Sequence, residues 1–154
     1  VKKWKLKEDG FDAIGPGLGK TYHRACKEMA KSYEKKTEHR FHEWRKRVKY
    51  HRYHCKLLRE LWEPMIMQRR DETKRLTDLL GWDHDLAELR NHLTNMGSDK
   101  FEQADRNEII ELSHMISLRH RNAARRLGRK LFAESQEQFV GRMGKIYTAW
   151  TSRD

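Results

Sequence analysis

Seven basic side chains fall on one arc of a single predicted helix, and such an arc is suited to holding phosphate. The stretch from Phe41 to Trp62 reads FHEWRKRVKYHRYHCKLLRELW. Wound at roughly 100° per residue, it separates into two faces. Phe41, Trp44, Val48, Cys55, Leu58 and Trp62 form an apolar seam, with His51 between them. The facing arc carries His42, Arg45, Lys46, Lys49, Arg52, Lys56 and Arg59, interrupted only by Tyr53 and Glu60. Solvated helix faces usually mix signs, because opposite charges at i,i+4 support a helix and like charges weaken it. Here like charges run along about 25 Å of helix, and an anionic partner would offset their repulsion. Arginine fits phosphate oxygens bidentately, and lysine adds a mobile point charge.

The preceding segment echoes this row. Lys20, Arg24, Lys27 and Lys31 recur at spacings of four, three and four, with Glu28 and Glu34 lying off the row. A short link around Thr37 makes the two helices antiparallel neighbours. Their rows are therefore expected to line one groove, whose low-dielectric walls would focus the field. For either row alone, an ordinary solvated charged face is the competing reading.

Nine histidines invite a metal hypothesis, yet no HExxH pattern occurs and neither Cys26 nor Cys55 has a CxxC partner. Asp83, His84 and Asp85 are consecutive, so on a helix they fan over about 200° and cannot converge on one ion. No metal site is expected. His42 continues the basic row, and His84 is expected on a helix near it. A neutral imidazole there can hydrogen-bond a phosphate; for His84 a helix–helix hydrogen bond is the equal alternative. Phosphoanhydride hydrolysis generally needs carboxylate-held metal ions or an activated nucleophile. The candidate groove offers cations and no cluster of acids, so the residues point to a binder with no cofactor, not to an enzyme.

These residues must be positioned by helices. The chain has 154 residues, 36% hydrophobic and 37% charged, with a formal net charge of +11, only two Pro, and five each of Trp, Tyr and Phe. The aromatics argue against disorder, and the long 3.6-periodic segments predict an all-α, antiparallel four-helix bundle with a short C-terminal helix. Residues 1–17 read as a lead-in, since Gly10, Gly15, Pro16 and Gly17 break a long helix; Trp4, Leu6, Phe11 and Ile14 are expected to pack on the bundle. The bundle is expected over 18–154. Its helices are predicted at Leu18–Lys36, from Thr37 or Glu38 to the approach to Pro64, Met65–Asn95, Lys100–Ala133 and Ser135–Trp150.

On the fourth helix Phe101, Ile109, Leu112, Ile116, Ala123 and Leu127 should mark the apolar face, and Ser98 or Asp99 the N-cap. Gly81, inside the third helix, costs up to about 1 kcal/mol relative to Ala and implies a close approach by a neighbour. Two cysteines are too few for a disulfide framework and are read as reduced thiols in a cytoplasmic protein. No apolar run approaches the roughly 20 residues of a membrane span, and the opening residues lack a signal-peptide pattern.

Two motifs in this order carry a family resemblance. The run His42-x-x-Arg45-Lys46-x-x-Lys49-x-x-Arg52-Tyr53 resembles the signature helix of the CHAD family, the conserved histidine α-helical domain. Leu80-Gly81 followed by His84-Asp85-Leu86 is similar to its second signature. Residues 17–27, GLGKTYHRACK, resemble its opening helix, and Leu131–Trp150 its C-terminal helices. The resemblance implies two related four-helix bundles around a basic channel, binding of inorganic polyphosphate, and a place at polyphosphate granules.

By the same resemblance His42, Arg45, Lys46, Lys49 and Arg52 would contact polyphosphate, joined by Lys20, Arg24 and Lys27 and by His84. The chain resembles the C-terminal half of such a domain, so a homodimer completing the channel is a further expected partner. A nucleic-acid-binding module is the rival reading, with Tyr22, Tyr53 and the tryptophans as stacking candidates.

Overall fold

The computed structural model describes residues 8–96 and 102–152, and its regular elements are all helical. They are α1 (Gly10–Glu34), α2 (Glu38–Leu57), a 3-10 turn (Arg59–Leu61), α3 (Glu63–Asn95), α4 (Gln103–Leu131) and α5 (Gln136–Thr151). Consecutive helices α1 to α4 pack in order, and α5 returns to α1. Tyr33 closes the ring by donating its hydroxyl to the Arg121 carbonyl of α4 at 2.7 Å. The fold is an antiparallel helical bundle with an additional C-terminal helix.

Local chemistry sets several boundaries. Thr37 caps α2 by accepting from the Arg40 N–H at 3.3 Å, satisfying one of the free donors of a first turn. Ser135 and Gln138 form a reciprocal capping box at α5. Pro64 sits in the first turn of α3, where its missing N–H costs nothing. No helix among the described residues is long and apolar enough to cross a membrane.

Three expected boundaries move. The first helix begins at Gly10 instead of Leu18, so residues 10–17 of the expected lead-in are helical through Pro16. Proline removes a backbone hydrogen bond there, and tertiary packing offsets the loss. The Phe11 ring lies against Gly15 and Gly144 and 5.7 Å from the Tyr147 ring of α5. The second helix ends at Leu57, where Leu58 turns the chain into the 3-10 segment. Trp62 consequently leaves the seam and is 55% exposed. Helix α4 starts at Gln103 with Glu102 at the N-cap position; Trp4, Leu6, Ser98, Asp99 and Phe101 lie outside the described residues.

The fourth correction concerns a face. Leu112 and Ile116, expected to point inward, are exposed, while Ser113 and Ser117 are buried. Arg90 of α3 explains the exchange. It is itself buried and reaches Ser117 Oγ at 3.0 Å and Glu38 Oε1 at 2.7 Å. A buried guanidinium requires polar partners, and the small hydroxyl residues of α4 supply them.

Two apolar clusters fill the interior. Phe41, Trp44, Val48, Leu76, Leu80, Ala124 and Leu131 form one. Leu18, Tyr22, Cys55, Ile66, Phe139 and Met143 form the other. Burying each large apolar side chain contributes about 1.5–3 kcal/mol. Gly128 permits a close approach between helices: a Cβ there would lie 2.9 Å from both Met29 Sδ and Trp44 Cζ2.

Candidate functional site

The seam of α2 packs as its spacing requires, with Phe41, Trp44, Val48, His51 and Cys55 all buried. Burying that seam fixes the rotation of the helix and hence the direction of its basic residues. One flank turns toward α3. There the Arg45 guanidinium lies across Gly81, so that a Cβ on that glycine would sit 3.3 Å from Nη2 and 3.5 Å from Nε. This is the close approach that the mid-helix glycine implies. Arg45 Nε is buried and has no hydrogen-bond partner among the described residues.

His42 and His84 meet one turn away, their ring centroids 4.9 Å apart. With Glu38, His39, Ala87 and Glu88 they line a small depression of about 290 Å³ between α2 and α3. His42 Nδ1 is also buried without a hydrogen-bond partner among the described residues. Burial holds its pKa below the ordinary imidazole value near 6.5, and the nearby His84, Lys46 and Arg45 add to the effect. The free protein therefore favours neutral His42 at pH 7, although Glu43 opposes the shift slightly.

Farther along the same face, Lys49, Arg52 and Lys56 follow at helical spacing, with Lys49 and Arg52 half-buried and Lys56 exposed. Among the described residues no carboxylate lies within ion-pair distance of Arg45, Lys49, Arg52 or Lys56. Lys46 does have a partner, Glu43, which also approaches Arg47 at 3.9 Å. The row is thus largely uncompensated within the fold.

The α1 cations are placed elsewhere. Lys20 and Arg24 line a groove of about 460 Å³ between α1 and α2, together with His54, Ile14 and Leu57. His54 sits on the flank of α2 opposite Arg52, since two residues span about 200° of helix. Lys27 is exposed on α1. The structure therefore divides the candidates between two flanks of α2 and does not place both rows in one groove. The reason is rotational: α1 turns Glu28 and Ser32 toward Arg40 of α2 and leaves its cations pointing outward.

Helix α3 supplies companions that sequence reasoning missed. Arg45 against Gly81 and His42 against His84 define an antiparallel register. In that register Thr77, Lys74 and Arg70, at i−4, i−7 and i−11 from Gly81, run alongside Lys49, Arg52 and Lys56. Lys74 pairs with Asp78 at 2.7 Å, and Arg70 with Asp71. Counting back from Gly81 by helical periods is the signal that would have found them.

Other polar residues are structural. Asp83, His84 and Asp85 diverge as their spacing requires: Asp83 is buried and accepts from Arg121 Nε at 2.8 Å, while Asp85 is exposed. No group of three or more potential metal ligands forms among the described residues. Arg69 is half-buried, donating to His51 Nε2 at 3.0 Å and to the Leu131 carbonyl at 2.6 Å, with the Phe139 ring 4.9 Å away. Both cysteines are free, and burial pushes the Cys55 thiol up to about 11. Tyr22, a stacking candidate, is fully buried against Phe139 and unavailable to a base. Tyr53, beside the row, is 53% exposed.

Comparison with known proteins gives one match: the family model described as CHAD domain fits residues 4–94. That span includes α1, α2 and nearly all of α3, and hence every candidate contact residue. No curated protein and no solved structure matches the chain.

Proposed function

The chain belongs to the CHAD domain family, and from that premise we propose that it binds inorganic polyphosphate along the α2–α3 face without catalysing its cleavage. The observation that carries the reading is the set Arg45, Lys49, Arg52 and Lys56. These cations recur on one flank of one helix with no carboxylate partner among the described residues. A linear polyphosphate presents an unbroken series of anionic oxygens, which matches a row of cations repeating along a helix. Arg45, braced on Gly81, offers a bidentate fork, and Lys46, Lys49, Arg52 and Lys56 add charge along the chain. His42 and His84 can hydrogen-bond phosphate at one end of the row. Lys20, Arg24 and Lys27 would engage a polyphosphate long enough to wrap around α2. The proposed setting is the cytoplasm, at polyphosphate granules.

Nucleic acid is the second reading, favoured by the exposure of Tyr53 beside the row, where a base could stack. Salt dependence cannot separate the two, since either polyanion releases counterions. Competition does. At near-physiological salt, length-defined polyphosphate should displace a fluorescent single-stranded RNA from the protein, and displacement in the reverse order would establish the nucleic-acid reading. Arg45→Ala and Lys49→Ala should each weaken polyphosphate roughly tenfold, the scale of one charge-assisted hydrogen bond. Lys145→Ala on α5 should leave binding nearly unchanged, and an equal loss there would reduce the interaction to net charge. Phosphate release that depends on an added divalent ion would overturn the non-catalytic assignment.

A further inference from the structure

Helix α4 carries a second patterned face that the proposed binding function does not use. Along its solvent side the residues recur at the three-and-four spacing of a helix-packing seam. The first half of that seam is acidic, with Asp105 and Glu108; the middle is apolar, with Leu112, Met115 and Ile116; the second half is basic, with Arg119 and Arg126. All seven are exposed, Met115 at 53%. None forms an ion pair among the described residues. Exposed Trp82, whose ring lies 5.3 Å from His120, and exposed Leu89 extend the apolar area onto α3.

An acid–apolar–basic order along one helix is complementary to itself reversed. We propose that α4 packs antiparallel against α4 of a second copy of this chain, about a two-fold axis near Met115 and Ile116. In that arrangement the apolar residues meet at the axis, and Asp105 comes opposite Arg126 of the second copy. Two-fold symmetry makes each such pairing occur twice. Parallel packing would set acid on acid and base on base, which opposes it. The charge pattern therefore selects both the occupant and its direction.

The interface is independent of what α2 binds. The basic row lies on the flank of α3 that carries Gly81 and His84, whereas Leu79 and Trp82 adjoin α4 on the other flank. The row thus stays uncovered in the pair.

Sedimentation of the full chain across micromolar concentrations tests the proposal apart from any ligand. Twice the chain mass is expected, reverting to a single mass in Met115→Asp and in Ile116→Asp with helical content unchanged. The doubly substituted Asp105→Lys, Glu108→Lys protein and the Arg119→Glu, Arg126→Glu protein should each sediment as single chains. Mixed in equal amounts, they should recover the double mass. A single-chain mass for the unaltered protein would overturn the proposal, as would a double mass that survives both the apolar and the charge substitutions.

Discussion

The guanidinium of Arg45 crosses the backbone of Gly81, with Nη2 3.3 Å from where a Cβ would be. The two residues belong to different helices and to different halves of the sequence signature, and their contact joins the basic row to α3. Gly81→Ala should accordingly separate binding from stability. Alanine improves helix propensity by up to about 1 kcal/mol, and the flexible arginine can yield by a few tenths of an ångström. Melting should hold or rise while polyphosphate affinity, read by titration calorimetry, falls several-fold. Unchanged affinity would show that the placement of Arg45 on Gly81 is immaterial to binding.

Gly128 should behave in the opposite way. A Cβ there meets Trp44 Cζ2 and Met29 Sδ at 2.9 Å, and Trp44 is locked in the core with no exposed surface. Overpacking of this kind costs about 1–3 kcal/mol, more than the gain in propensity. Urea unfolding of Gly128→Ala should show a lower midpoint at an unchanged slope.

Buried His51, bonded to Arg69, makes stability dependent on pH. Burial pushes the His51 pKa well below the ordinary value near 6.5, and the charge of Arg69 pushes the same way, as does neighbouring His54. A histidine whose folded pKa lies below its unfolded value binds more protons unfolded. Its contribution is therefore fully present above about pH 6.5 and is lost as the pH falls toward the folded value. The melting temperature should drop through that window. In His51→Gln, whose side-chain carbonyl can still accept from Arg69, the drop should be smaller. An identical acid profile in both proteins would place the titration elsewhere.

His42 predicts a linkage of the opposite sign on binding. Its pKa is depressed in the free protein, first by burial and then by His84, and an approaching phosphate anion raises it. Binding should take up protons and tighten as the pH falls from neutral toward 6.5. Calorimetry in two buffers of different ionisation enthalpy measures the uptake, and His42→Gln should remove most of it.

The features legible beforehand were those written in local spacing. The α2 seam from Phe41 to Cys55, the start of α2 beside Thr37 and the diverging Asp83, His84 and Asp85 all follow from helical period and spacing. Arg69 and Arg90 were not legible, because an inward-facing arginine reads in sequence like any surface cation until its partners, His51, Leu131, Ser117 and Glu38, are brought to it from other helices. Leu112 and Ile116 misled for the same reason: an apolar stripe indicates that a face will be covered without saying by what.

By itself, then, the sequence determined the all-helical class, the order of the helices and the one-signed arc of α2, since helical periodicity and like-charge spacing are properties of neighbouring residues. Its motifs also pointed to the family that the match over residues 4–94 established. Only the tertiary structure decided which way each row faces. The rotation of a helix is set by everything packed against its seam, so the α2 cations turned toward α3 while Lys20 and Arg24 came to a separate groove. Packing likewise decided that Phe11 would hold a helix through Pro16, because its ring finds Tyr147 more than a hundred residues away.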